Sequence, residues 1–423
     1  ELKHAGFDAI IIEGRAEKPV YLWVHDGRAE IRDALHLWGH TTAETQDLIR
    51  QELGDRQVRT ALIGSAGENL VRYACIINDL RHAAGRTGMG AVMGSKNLKG
   101  VAVRGHAPPP IADSQSVQAI AKWLASGFRE NPAMYGLHVN GTAGGVTGLN
   151  TVGALPTYNF QHGVFDGAEH ISGQRMTETI LTGRGSCYAC PVRCKRMVRA
   201  PEPYWFDDRY GGPEYETIAS FGSNCGISNL AAIAKAHALC SAYSLDTIST
   251  GITIAFAMEC FERGVLTVGD TGGLPLRFGD ADAMLQAIEL IAKRQGIGRL
   301  LAEGCYRAAE QLGGSAVRYA LHVKGQEIPL QEPRLAHLRG LGYVINACGA
   351  DHLAGAVDTF FEKEESPLLH NYRALGMFRP MLLHGYDVDK VRLYTYSHIW
   401  NSFANCAISV SYTHLRAHET VLD

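Results

Sequence analysis

Gly105-His-Ala-Pro-Pro-Pro110 divides this sequence into two kinds of chain. A proline run continues neither a helix nor a central strand. Upstream, the apolar, β-rich runs AIIIEG (Ala9–Gly14), PVYLWV (Pro19–Val24) and TALIG (Thr60–Gly64) alternate with polar turns and predict strands. Thr42–Glu52 and Asn69–Ala84 carry apolar residues at helical spacing. Downstream, long amphipathic stretches predict helices at Ser114–Phe128, Leu230–Tyr243, Ala281–Gln295 and Arg299–Leu312. Ser228 or Asn229 is placed to cap the second of these. The fold class that follows is α+β, with a β-rich N-terminal domain over 1–108 and mainly helical chain after it.

A length of 423 residues allows two or three domains. With 46% apolar and 20% charged residues, the chain can bury sizeable cores. A formal net charge of -3 gives no basic surface for nucleic acid. No apolar run approaches the roughly 20 residues of a membrane helix. No signal peptide is visible and the composition reads as cytoplasmic, but residue 1 is Glu, so the chain reads as an internal fragment. Residues 411–423, SYTHLRAHETVLD, are polar and aperiodic and read as a non-native tail. His414 and His418 are therefore set aside.

Ten cysteines in a chain of this length are too sparse for a disulfide scaffold. Three are clustered in GSCYACPVRCKR (Gly185–Arg196): Cys187, Cys190 and Cys194. Thiolates this close on one loop select zinc or an iron–sulfur centre. Zinc would usually add a second CxxC or an HxxxH, and neither follows. A cluster completed by a remote cysteine is favoured; zinc, or a redox CxxC with Cys194 as bystander, stays open.

RHAAGRTGMGAVMGSKNLKG (Arg81–Gly100) combines five glycines with four basic residues. Glycines admit close approach of an anion and bases supply charge, so a phosphate- or cofactor-cradling loop is expected. It is not a P-loop. In GGPEYETIASFGSNCG (Gly211–Gly226), Glu214 and Glu216 stand in apolar company. A desolvated carboxyl there could move protons near neutral pH, although an exposed acidic helix start is the plainer reading. Asp351 and His352 in NACGADHLAG (Asn346–Gly355) carry no weight alone.

Together these stretches resemble the tungsten-dependent aldehyde ferredoxin oxidoreductase family. GRTGMGAVMGSKNLKG, GSCYACPVRC, GGPEYETIASFGSNCG, SLDTISTGITIAFAMEC and HVKGQEIP are similar to its blocks and stand in the same order. The resemblance implies a β-rich saddle for two pterins, here incomplete, over 1–108. It implies a helical domain over 112–320 and a second, truncated one over 321–410. It also implies tungsten held by both pterins, a magnesium ion bridging them, and a nearby [4Fe–4S] cluster.

Carried over by residue, Cys187, Cys190 and Cys194 match the clustered ligands. Cys406 closes Asn401-Ser-Phe-Ala-Asn-Cys406 where the family has D-x-x-G-L-C, and so is the implied fourth ligand. Asp246 ends Ser241-Ala-Tyr-Ser-Leu-Asp246 where the family has D-x-x-G-L-D. Arg81, Gly85, Arg86, Gly88, Gly90, Ser95, Lys96, Asn97 and Lys99 fall in the pterin-binding signature. Glu216 and His352 match the active-site glutamate and histidine. The implied activity oxidises a small aldehyde to its acid and passes electrons to ferredoxin, in a homodimer. The rivals are a benzoyl-CoA reductase-type tungsten subunit and a cluster-binding electron carrier without tungsten.

Overall fold

The upstream half is organised by one mixed sheet. A computed structural model describes residues 1–403 apart from 358 and 360. The strands are β1 (Val20–His25), β2 (Arg28–Asp33), β3 (Arg59–Leu62), β4 (Ile76–Asn78), β5 (His82–Ala84) and β6 (Leu98–Arg104), in the order β2-β1-β6-β3-β4-β5. Only β1 and β6 run parallel; the other pairs are antiparallel. Helix α1 (Thr42–Leu53) covers one face. Its start is a capping box: the Thr41 hydroxyl accepts from the Glu44 N–H and the Glu44 carboxylate accepts from the Thr41 N–H. Gly54 ends it in the left-handed conformation. Tyr21, Leu37, Ile49, Val58, Leu62 and Ala102 form the core between α1 and the sheet.

Two sequence expectations fail here. Ala9–Gly14 forms no strand, and Ile11 is exposed; a short apolar, β-branched run alone does not supply a ladder partner. Asn69–Ala84 is not a helix: Leu70, Asp79 and Leu80 take positive φ, and Ile76–Ala84 becomes the hairpin β4–β5, paired to β3. Pairing with a neighbouring strand overrides the local helical spacing.

Two short helices complete this half: α2 (Ser65–Glu68) and α3 (Met89–Ser95). After Pro110 the chain is helical: α4 (Ser114–Gly127), α5 (Pro132–Asn140), α6 (Val146–Thr151) and α7 (Gly173–Thr179) lead to the hairpin β7 (Leu181–Gly185) and β8 (Lys195–Val198). There follow α8 (Tyr215–Phe221), α9 (Leu230–Tyr243), α10 (Thr247–Glu262), α11 (Ala281–Lys293), α12 (Gly298–Leu301) and α13 (Gly304–Leu312). The strands β9 (His322–Val323) and β10 (Gln326–Glu327) precede α14 (His337–Ile345), α15 (Pro367–Tyr372) and α16 (Val388–Phe403). Asn229, not Ser228, caps α9, accepting from the Ala232 N–H. The stretch read as one helix over 299–312 breaks at Gly304, whose φ is +82.

Helix α10 is buried all round from Ile248 to Cys260 and runs through the largest core. Each fully buried Ile or Phe on it contributes about 1.5–3 kcal/mol. That core also takes Ala66, Val71, Tyr73 and Ala74 from the upstream half, so sheet and bundle are packed as one. Among the described residues no helix is long and apolar enough to cross a membrane.

Candidate functional site

The site grows from the buried Arg86, which follows β5 and precedes α3. Its Nη1 donates to the Ala350 carbonyl and its Nη2 to the Glu327 carbonyl, both at 2.6 Å. Its Nε stands 3.4 Å from the carboxylate of Asp246, also buried. Asp246 in turn caps α10, accepting from the Ile248 and Ser249 N–H groups. One guanidinium thus ties the glycine-rich segment to α10, to β10 and to the loop after α14. Its charge is matched by one carboxylate and two carbonyls, which is what a buried cation requires.

Glu216 lies within reach of that charge. It sits in the first turn of α8, where its Oε2 accepts from the Leu330 N–H at 2.8 Å and its Oε1 from the Gln331 side-chain amide at 3.3 Å. Burial pushes its carboxyl up to about 7; the Leu330 N–H and the charges of Arg86 and Arg339 oppose the rise without cancelling it. The exposed acidic helix start expected as the plainer reading is corrected: neither Glu214 nor Glu216 is exposed. The neighbouring Glu214 has the opposite fate. Burial works to raise it, but Lys195 at 3.1 Å and the Thr142 hydroxyl hold it below the usual carboxylate range. Two carboxylates two residues apart are therefore tuned in opposite directions by one added cation.

His352 is half-buried on the loop after α14, and its backbone carbonyl accepts from Arg339 Nη1 at 2.7 Å. Tyr343, one turn beyond Arg339 on α14, donates to the Gln331 carbonyl at 3.2 Å. Gln331 therefore bridges α14 to Glu216. Composition gave no signal for Arg339, Gln331 or Tyr343.

The remaining residues of the glycine-rich segment part company. Gly85, Gly88 and Gly90 are buried. A Cβ at Gly88 would meet the Arg72 carbonyl oxygen at 2.1 Å, and one at Gly90 the Cys75 carbonyl oxygen at 2.3 Å. These glycines are demanded by packing of the chain on itself, not only by approach of an anion. The Ser95 hydroxyl donates to the Val92 carbonyl, Lys96 Nζ to the Gly14 carbonyl and the Asn97 amide to the Ala16 carbonyl. Those three face the N-terminal stretch rather than Arg86. Lys99 is fully buried in β6, paired with Glu68 at 2.5 Å. Arg81 is exposed and points at β8, donating to the Met197 sulfur at 3.1 Å.

Cys187, Cys190 and Cys194 are half-buried free thiols on the loop joining β7 to β8. The Cys190 N–H donates to the Cys187 carbonyl at 3.3 Å, a tight turn that sets the two side chains on one stretch. Burial pushes the Cys194 thiol up to about 12. A bound metal's charge reverses that direction and takes the thiols as thiolates. Among the described residues no three His, Cys, Asp or Glu side chains gather closely enough to hold a metal ion. Cys406, the implied fourth ligand, lies outside the described residues. Three thiols are a donor set that zinc or an iron–sulfur centre takes, and their loop is anchored beneath by Lys195 and Arg196. Near Arg86, buried polar atoms stand without a hydrogen-bond partner among the described residues, including the Thr87 hydroxyl, Gln331 Oε1 and the Nε–Nη2 edge of Arg339. Polar groups left so in a buried site fit an anionic or polar cofactor or substrate.

Residues 1–105 match the family model for the aldehyde ferredoxin oxidoreductase N-terminal domain, and residues 119–418 that for its domains 2 and 3. The tungsten-containing aldehyde ferredoxin oxidoreductase of Pyrococcus furiosus is 46% identical over 355 residues, covering 84% of this chain and 58% of the relative. An aliphatic sulfonate oxidoreductase WOR-like subunit of the same organism is 34% identical, covering 84% and 60%. The active-site complex of benzoyl coenzyme A reductase with 1,5-dienoyl-CoA superposes with a TM-score of 0.70 at 27% identity, covering 89% of this chain and 58% of that one. The chain thus spans somewhat over half the length of these relatives.

Proposed function

Since the chain belongs to the aldehyde ferredoxin oxidoreductase family, we propose that it is the catalytic portion of a tungsten enzyme that oxidises a small aldehyde to its carboxylic acid. The reaction takes RCHO and water to RCOOH, two protons and two electrons. The observation that carries this reading is Glu216: a half-buried side chain whose desolvated carboxyl is poised at about 7, held by the Leu330 N–H, beside the Arg86–Asp246 junction. A general base works best when its pKa lies near the operating pH.

When bound, a tungsten bis-pterin supplies Lewis acidity and two-electron acceptance. In this proposal Arg86, Asp246 and the segment from Gly85 to Gly90 would hold it, with Arg81, Ser95, Lys96, Asn97 and Lys99 as outer support and magnesium as an accompanying ion. Glu216 takes a proton from the attacking water. His352 donates to the carbonyl oxygen as negative charge grows there. Burial excludes bulk water, so each of these charges acts at low dielectric. Cys187, Cys190, Cys194 and Cys406 hold the [4Fe–4S] cluster, whose potentials reach the low range that electron delivery to ferredoxin requires. The division at 108, 112 and 320 belongs to the same proposal; it is supported by the sheet ending at Arg104 and by a separate apolar cluster around Leu338, Phe361 and Leu393. A cytoplasmic homodimer is also part of it.

The test is Glu216→Gln in the full-length, metal-loaded enzyme. kcat/KM for aldehydes should fall about 10²- to 10⁴-fold, and the acid limb near pH 7 should vanish from the pH profile. Full activity with tungsten retained would sink the assignment. Reduction of benzoyl-CoA with no aldehyde oxidation would transfer the site to the ring-reducing class.

A further inference from the structure

Arg339 is a buried cation of this site that the described residues leave half-satisfied. Only 2% of its surface is exposed. Its Nη1 donates to the His352 carbonyl at 2.7 Å, whereas Nε and Nη2 meet no acceptor among the described residues. Arg86 makes the contrast clear, since its two Nη atoms reach carbonyls and its Nε faces the Asp246 carboxylate. Nε and Nη2 form the side-on edge of a guanidinium, two parallel N–H donors spaced for two oxygens of one planar anion. A buried guanidinium edge left without acceptors is strongly unfavourable, so such an edge reads as a binding feature.

The edge is also in the right place. Arg339 and Tyr343 stand one turn apart on α14 and so share a face of that helix. Tyr343 bonds to Gln331, and Gln331 bonds to Glu216. The positive charge of Arg339 is felt at Glu216 itself. Gln331 Oε1 is a further buried atom without a donor among the described residues, available to a protonated or amide group on the same ligand.

We propose that Arg339 is the carboxylate-recognition residue of the site, its Nε–Nη2 edge receiving both oxygens of a carboxylate held near Glu216. This deepens the proposed function and rests on it. Two sources share that chemistry: the acid formed from any aldehyde, and a separate carboxylate carried by the substrate, as in an ω-oxo acid. A neutral aldehyde offers the edge only one oxygen.

The experiment uses full-length, metal-loaded enzyme and the variants Arg339→Gln and Arg339→Lys. The second keeps the charge and loses the fork, and it carries the same comparison if the first does not fold. The probes are butanal against 4-oxobutanoate as substrates, and butanoate against butanamide as ligands, with binding read by calorimetry. If the substrate's own carboxylate uses the edge, the kcat/KM ratio of 4-oxobutanoate to butanal falls at least about tenfold in both variants. If the product uses it, that ratio holds, while the Kd for butanoate rises at least about tenfold and that for butanamide does not. Either result supports the proposal. Equal losses for all four probes, or none, overturn it, and so does loss of pterin and tungsten in step with activity, which would make Arg339 a cofactor residue. Arg339-dependent butanoate binding in an enzyme that oxidises no aldehyde would keep the carboxylate site and reject the proposed function instead.

Discussion

The glycine-rich segment and the cysteine loop are equally conspicuous in the sequence, but the fold holds them in different ways. Residues 85–100 are fixed by the chain itself: glycine backbones pressed against the Arg72, Cys75 and Gly67 carbonyls, Arg86 saturated by protein acceptors, Lys99 locked to Glu68. The loop carrying Cys187, Cys190 and Cys194 has Tyr188 almost fully exposed at its tip and half-buried thiols, while its base is fixed by Lys195 and Arg196. Arg196 alone donates to the carbonyls of His138, Val139, Arg193 and Cys194. A segment that shapes a cavity must be rigid before its ligand arrives. A segment that supplies ligands can leave its final geometry to the metal.

That contrast can be attacked at three points. Breaking the base of the cysteine loop should do the most damage. Lys195→Met leaves the largely buried Glu214 without its cation, at a cost of about 3–5 kcal/mol in urea unfolding. The sign with pH follows from Glu214, whose folded value lies below its unfolded 4.5. Its contribution is present above 4.5 and disappears as pH falls through the folded value, so wild type loses stability in acid and Lys195→Met does so less. Next comes Gly94→Ala in α3. The new Cβ would lie 1.9 Å from the Gly67 carbonyl oxygen, and the shift needed should cost about 3 kcal/mol. A loss below about 0.5 kcal/mol would mean that the segment is softer than described. The smallest effect on folding is expected from the thiols themselves. Cys194→Ser should abolish iron binding while moving the stability of the iron-free protein by less than about 1 kcal/mol. A larger loss there would show that the loop, too, is held by the chain.

Legibility in the sequence followed the range of the forces involved. The change at Gly105–Pro110 was readable because proline acts locally, and α1, α9 and α11 because period and caps lie within one element. The hairpin β4–β5 was hidden behind a helical pattern, since its cause is a ladder with β3. Glu216 stood out through its family block, but its altered pKa depends on Leu330 and Gln331, more than a hundred residues away in sequence. Arg339 was invisible for the same reason. An arginine on an amphipathic stretch reads as a solvated face until the His352 carbonyl and the buried site beyond it are in view.

The most direct test of the central claim is elemental and cofactor analysis of the anaerobically purified full-length protein. A tungsten–pterin oxidoreductase with its own electron outlet predicts tungsten, pterin, iron and acid-labile sulfide together, with iron and sulfide lost in Cys194→Ser and tungsten and pterin retained. Iron and sulfide without tungsten or pterin would contradict it and leave a cluster-binding electron carrier.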